Sequence, residues 1–145
     1  QSPELTRQML TYAMLNAAPG IVVSPADTPD QTVPLQLSGG MGNYVWKINN
    51  QVFPHADRIM VQHNRLISFQ FDNQSMMPHP MHLHGHFFQL NNGTGRGPLK
   101  DTVLVDAMQK MTVNWVSDNP GSWAFHCHNV YHQSAGMMRV VQVNA

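Results

Sequence analysis

One short segment, Trp123–Met138, read as WAFHCHNVYHQSAGMM, constrains this chain more than any other. It holds the only cysteine, Cys127, flanked by His126 and His128 and followed by His132 and Met137. Successive side chains of a strand point to opposite faces. With Ser122–His128 read as strand running into loop, His126 and His128 point to one side and Cys127 to the other. One segment therefore serves two different sites. The rest of the chain offers more short strands: Val33–Leu37, Tyr44–Ile48, Leu66–Phe71, Met81–Leu90, Thr102–Val105, Met111–Val116 and Met138–Val143. Ser38-Gly39-Gly40, Asn49-Asn50, the loop from Asn91 to Pro98 and Asp118-Asn119-Pro120-Gly121 separate them. About eight such strands with no long helical periodicity predict an all-β sandwich or barrel.

Cys127-x4-His132-x4-Met137 is the spacing of a type 1 (blue) copper loop. A thiolate, an imidazole and a weak thioether suit copper that cycles between Cu(I) and Cu(II). The second imidazole comes from upstream, in His79-Pro80-Met81-His82-Leu83-His84. There His82 and His84 share a face, and His79 sits between Pro78 and Pro80, where an irregular chain is expected. The histidines sort into two groups. His79, Cys127, His132 and Met137 make a soft mononuclear set, and His82, His84, His126 and His128 make an imidazole-only set. The few covalent bonds from the Cys127 sulfur through the backbone to either neighbouring histidine form a short path for electrons.

Composition bounds the alternatives. At 145 residues the chain has room for one domain with a core. Formal net charge is zero, only 11% of residues are charged, and no basic run points to nucleic acid or an anionic membrane. A single cysteine excludes an internal disulfide and a Cys-rich zinc module. No apolar run is long enough to span a bilayer, so no membrane span is expected. The first residues look like the interior of a longer protein. The Pro- and Gly-containing stretch from Ala17 to Pro34 is read as loop, and Leu5–Asn16 as a short helix or extended linker. The domain division is a lead-in at 1–34 and a folded domain at 35–145.

The pair HPMHLHGH and HCH-x3-H-x4-M resembles the C-terminal cupredoxin domain of multicopper oxidases, the laccase and copper-resistance oxidase group. The resemblance runs from about Tyr44 to the end, and WVSDNPGSWAFHCHNVYH is most similar to bacterial copper-resistance members. LTYAML near the start resembles the family's link into its last domain. The resemblance implies a cupredoxin-like Greek-key β-sandwich or barrel and a copper-dependent oxidoreductase with oxygen as acceptor. It implies His79, Cys127, His132 and Met137 as type 1 ligands, with His132 as the outer, electron-accepting edge. It also implies His82 as a type 2 ligand and His84, His126 and His128 as type 3 ligands. Four imidazoles are too few for three coppers. The trinuclear cluster would then be shared with an N-terminal cupredoxin domain of the same oxidase or of another subunit. Expected partners are a small reductant (a phenol, a diamine or Cu(I)) and O2, and the expected location is periplasmic or secreted. One departure stands out. Many bacterial members carry a carboxylate one or two positions after the second type 1 histidine, where this chain has Gln133 and Ser134. That puts proton supply through this loop in doubt.

Other readings fit less well. A zinc hydrolase would need a suitably placed carboxylate base and leaves Cys127 and Met137 unexplained. A free-standing cupredoxin carrier, or a copper-binding protein without oxidase activity, remains the alternative function. Among residues outside the two sets, His86 is assigned to packing or second-shell support, and His55 and His63 to solvated positions. Met76, Met77 and Met81 are assigned to core packing, as are Trp123 and Phe125 beside the Cys127 strand. Asn73-Gln74-Ser75 and Asn92-Gly93-Thr94 fit the glycosylation sequon.

Overall fold

The computed structural model describes residues 9–20 and 28–145; the first part of the Leu5–Asn16 reading and the middle of the Ala17–Pro34 reading lie outside them. A single 3-10 turn, Tyr12–Met14, stands ahead of the strands. The strands are β1 (Gln31–Gly40), β2 (Val45–Ile48), β3 (Ile59–Gln62), β4 (Leu66–Asn73), β5 (His79–Leu83) and β6 (Phe88–Leu90). They continue with β7 (Leu99–Lys100), β8 (Thr102–Val105), β9 (Lys110–Val116), β10 (Gly121–Cys127) and β11 (Met138–Asn144). One short helix, α1 (Val130–Ser134), lies between the last two. The strands form two sheets, ordered β2-β1-β4-β9-β6-β7 and β3-β11-β10-β5-β8. The sheets do not close into a barrel, so the cupredoxin-like architecture is a sandwich. Most neighbours are antiparallel, but β1 runs parallel to β4 and β3 parallel to β11.

The core lies between the sheets. β4 alternates Ile67, Phe69 and Phe71 with Ser68 and Gln70, and the three apolar side chains point into the core. Phe69 meets Trp115 of the same sheet and Phe125 of the facing one, each at 5.3 Å between ring centroids, and Phe71 also reaches Phe125. Tilted and edge-to-face pairs of this kind are each worth about 0.5–1.5 kcal/mol beyond their buried area. Phe125 is fully buried and Trp123 partly buried against the same core, as the sequence predicts.

Four features differ from the sequence reading. β1 begins at Gln31, inside the stretch read as loop, because it pairs with β4 from there, and it runs on through Ser38-Gly39-Gly40, read as its end. The Met81–Leu90 run is two strands, because Gly85 turns the chain at φ +74°, and a Cβ there would come within 2.7 Å of the Trp123 indole. His79 begins β5, with Val105 as its partner across the pair, so the Pro-flanked segment is regular. Met76 is 80% exposed rather than packed, while Met77 packs on the core and Met81 is fully buried. Both sequon asparagines have engaged amides. Asn73 is buried with Nδ2 facing three carbonyls, and Asn92 Nδ2 donates to the Leu15 carbonyl at 2.7 Å.

Candidate metal centre

β5 and β10 are antiparallel neighbours, with His126 opposite His82 and Cys127 opposite Met81. That register brings the two histidine-bearing motifs together. On β5, His79, Met81 and Leu83 face the core and His82 does not. On β10, Phe125 and Cys127 face the core, and His126 turns to the other side, where its ring meets His84 and His82.

The loop after β10 is shaped by its own backbone. The Asn129 side chain caps α1 by accepting from the N–H groups of Tyr131 and His132. Met137 N–H donates to the His132 carbonyl, and Cys127 N–H donates to the Met137 carbonyl, both at 3.1 Å. Gly136 adopts φ +108° and lies so close to Val52 that a Cβ would be 2.2 Å from its methyl group. The loop therefore folds back tightly and returns Met137 to the core side, where it is fully buried.

The result is a compact set of donors. Cys127 Sγ lies 3.7 Å from His79 Nδ1 and 3.7 Å from His132 Nδ1, and the two Nδ1 atoms are 3.1 Å apart. Among the described residues, this is the one trio of His, Cys or acidic side chains whose ligand atoms all lie within 4.8 Å of one another. Nitrogen and sulfur donors hold a metal at about 2.0–2.3 Å, which places donors sharing one ion 3–4 Å apart. Two imidazoles and a thiol in a buried pocket, with a buried thioether on the same loop, fit the preferences of a type 1 copper ion.

Burial sets the electrostatics. His79 is pushed down to about 4, first by loss of solvent and then by His132. His132 is also lowered by burial. Burial pushes the Cys127 thiol up to about 11, opposed by the backbone N–H of Asn129. At neutral pH the copper-free site therefore holds neutral imidazoles and a protonated thiol, and metal binding must expel the thiol proton.

A pH dependence of stability follows for the copper-free chain. A histidine at 6.5 when unfolded and about 4 when folded stabilises fully above 6.5 and loses that contribution as pH falls toward 4. The loss is on the order of 3 kcal/mol. The urea midpoint should fall clearly between pH 7 and pH 4.5. A midpoint that stays put would contradict burial of a neutral His79.

On the outer face the four other histidines gather more loosely. Ring centroids are 4.6 Å apart for His82 and His84, 5.1 Å for His84 and His126, and 5.9 Å for the stacked His126 and His128. His82 Nδ1 donates to the Asp101 carbonyl at 2.8 Å and His126 Nδ1 to the Cys127 carbonyl at 2.9 Å. Those bonds leave both Nε2 atoms available. His84 Nε2 and His126 Nε2 already lie 2.9 Å apart. Lost solvent is the main cause that lowers the pKa of His84 and of His126; neighbouring imidazoles add to it, and at His126 the bond to the Cys127 carbonyl opposes it.

The structure also supplies residues the sequence reading passed over. Trp46 packs against both inner histidines, 4.2 Å from His132 and 5.1 Å from His79, and Tyr44 stands edge-on to it, 6.5 Å from His132. His132 itself is only 2% exposed. Trp46 lies on β2 and Tyr44 in the turn just before it, and nothing local in the sequence ties either to the loop between β10 and β11. Ser75 contacts His79 from behind. Outside both sets, His86 sits between Trp115 and Trp123 with Nδ1 on the His84 carbonyl, a packing role. His55 is exposed and His63 partly so, with Nε2 near the Asp118 carbonyl.

Fold and donor set together define a cupredoxin-like copper domain. The family model for multicopper oxidases matches residues 27–145, and the chain belongs to that family. It is 42% identical over 135 residues to multicopper oxidase MmcO of Mycobacterium tuberculosis, covering 92% of this chain and 27% of that protein. It is 33% identical to copper resistance protein A of Escherichia coli, covering 94% of this chain and 22% of that protein. McoA multicopper oxidase from the hyperthermophile Aquifex aeolicus matches with a TM-score of 0.70 at 27% identity, over 85% of this chain and 31% of that one. The chain thus spans about a quarter of the length of these curated relatives. No helix among the described residues is long and apolar enough to cross a membrane.

Proposed function

We propose that this chain is the electron-accepting, type 1 copper domain of a laccase-like multicopper oxidase. The observation that carries the reading is the double use of β10, which puts Cys127 in a buried His2Cys pocket and its two neighbours on an outer imidazole face. His79, Cys127 and His132 would hold the ion, with Met137 as a weak axial donor. Bound there, copper would supply a one-electron couple between Cu(I) and Cu(II). Cys127 links the pocket to the outer face through its own backbone, and the His126 Nδ1–H bond to the Cys127 carbonyl shortens that link. His82, His84, His126 and His128 form half of a trinuclear site. Histidines of an N-terminal cupredoxin domain, in the same oxidase or another subunit, would complete it, and O2 would be reduced to water there.

Reducing equivalents from a phenol, a diamine or Cu(I) would reach His132 past Tyr44, which is exposed while Trp46 is buried beneath it. The segment ahead of β1 would serve as the link from a preceding domain. Likeness to bacterial copper resistance proteins supports a periplasmic or secreted location. The test is optical and EPR spectroscopy of the copper-loaded chain during titration with a phenol or diamine. One electron should bleach one blue centre per chain. A copper-loaded chain that stays colourless under oxidising conditions would refute the reading.

The axial role has its own test. Met137 is fully buried, and Leu is close to it in volume, so Met137→Leu should cost less than about 1.5 kcal/mol in stability. The variant should stay blue and show a higher reduction potential, because losing a weak donor disfavours Cu(II). An unchanged potential by redox titration would remove Met137 from the ligand set.

A further inference from the structure

Behind His79 lies a buried polar chain that no ligand motif includes. Ser75 Oγ is 2.7 Å from His79 Nε2, 2.8 Å from Asn73 Oδ1 and 3.1 Å from the Met77 carbonyl. Asn73 and Ser75 are 1% and 3% exposed, and His79 is fully buried. Water therefore does not set the protons here, and a proton inventory does.

Asn73 comes first. Its amide nitrogen faces the carbonyls of Met77, Val105 and Asp106 at 2.8, 3.2 and 3.0 Å. Three carbonyl oxygens accept only, so the group facing them must be the NH2, and the amide cannot be flipped. The other end is then an oxygen, which accepts from the Ser75 backbone N–H at 3.0 Å and lies beside the Ser75 hydroxyl. That hydroxyl has one proton and two pure acceptors near it, Asn73 Oδ1 and the Met77 carbonyl. Two oxygens 2.8 Å apart repel unless a hydrogen lies between them, so the proton points at Asn73 Oδ1, and toward His79 the hydroxyl offers a lone pair. At 2.7 Å, His79 Nε2 must then be the donor. A neutral imidazole carries one N–H, so Nδ1 is left with its lone pair, facing Cys127 Sγ and His132 Nδ1.

We propose that Ser75, oriented by Asn73, is a positioning residue that locks His79 in its Nε2–H tautomer and so presents the Nδ1 lone pair to the copper pocket. The proposal rests on the reading of His79 as a copper ligand only for its consequence. The tautomer itself is a property of the copper-free chain. His132 has no such partner: among the described residues its hydrogen-bond contacts are Nδ1 to His79 and Cys127 and the backbone groups. The pocket is therefore preset on the β5 side and adjustable on the α1 side.

Ring-nitrogen NMR of the copper-free 145-residue chain, 15N-labelled and held at pH 7, tests this directly. His79 should show a single tautomer, with Nε2 protonated and Nδ1 not. An Nδ1–H form, or a mixture of the two, in the wild-type chain would overturn the proposal without any variant being made. In Ser75→Ala the Nε2–H loses its acceptor, and His79 should become a mixture of tautomers. Copper affinity should fall by about 10–100-fold, the usual cost of losing such an outer partner. Ser75→Thr keeps the hydroxyl and should restore both. A Ser75→Ala chain with the wild-type tautomer and unchanged copper affinity would also overturn the proposal. The ligand reading is checked separately by Cys127→Ser. If that change leaves copper affinity untouched while the His79 tautomer is as expected, the ligand reading fails and the positioning of His79 stands.

Discussion

Cys127→Ser is expected to abolish the blue colour of the copper-loaded chain completely while leaving the fold in place. The Cys127 sulfur is fully buried and sits 3.7 Å from each inner imidazole nitrogen. The intense band of a blue site is a thiolate-to-copper charge transfer, and a serine hydroxyl is neither soft nor deprotonated at neutral pH. Serine is nearly isosteric with cysteine, and its hydroxyl would find Nδ1 of His79 and of His132 as partners, so the buried oxygen is not orphaned. The expected stability cost is about 1 kcal/mol, the scale of one hydrogen-bond rearrangement. The pairing of the two outcomes makes the result informative. Loss of colour with an unchanged melting profile assigns the chromophore to the thiolate. Residual blue colour in Cys127→Ser would place the chromophore elsewhere. Wild-type copper should also show small hyperfine splitting in EPR, and the variant should not.

Much of this site was legible because it depends on local geometry. A two-residue period on β10 was enough to send Cys127 one way and His126 and His128 the other, and the structure keeps that division. His82 and His84 meet the second pair because β5 and β10 are neighbours, which the sequence pattern alone does not fix; the resemblance to a known family supplied that link. What escaped the sequence is long-range or depends on several neighbours at once. β3 is a four-residue strand whose identity comes from parallel pairing with β11. α1 spans only five residues, too short for a helical period to register. Asn73-Gln74-Ser75 reads as a sequon because two of the carbonyls that orient Asn73, those of Val105 and Asp106, lie more than thirty residues away; the Ser75 hydroxyl bonds locally, to Asn73, Met77 and His79. Met76 is expected in the core with Met77 and Met81, yet it sits at the tip of a bend whose neighbours Ser75 and Met77 turn inward.

The outer face leads to the other large effect: prepared alone as a 145-residue monomer, the chain should bind one copper firmly and reduce O2 slowly or not at all. Its four outer imidazoles come from two adjacent strands and the residue just past each, and their rings lie 4.6 to 5.9 Å from their neighbours. Among the described residues, no three of them bring their nitrogens within 4.8 Å of one another, whereas the inner trio does. Metal sites need ligand number and geometry as well as ligand type. An open row of imidazoles on a sheet face can lend one or two donors to each of several ions, but it closes around none of them. A second surface carrying about as many histidines would complete it. Copper counted per chain on a verified monomer should therefore plateau near one under dialysis, with further copper lost readily. Steady-state oxygen uptake with a phenol as donor should stay near the uncatalysed level, although the same phenol bleaches the blue band. A self-associated form could bring two such faces together, so uptake must be compared across oligomeric states separated by size. Three tightly held outer coppers, or rapid four-electron reduction of O2 by the monomer, would show that the chain completes its cluster alone and would overturn the half-site reading.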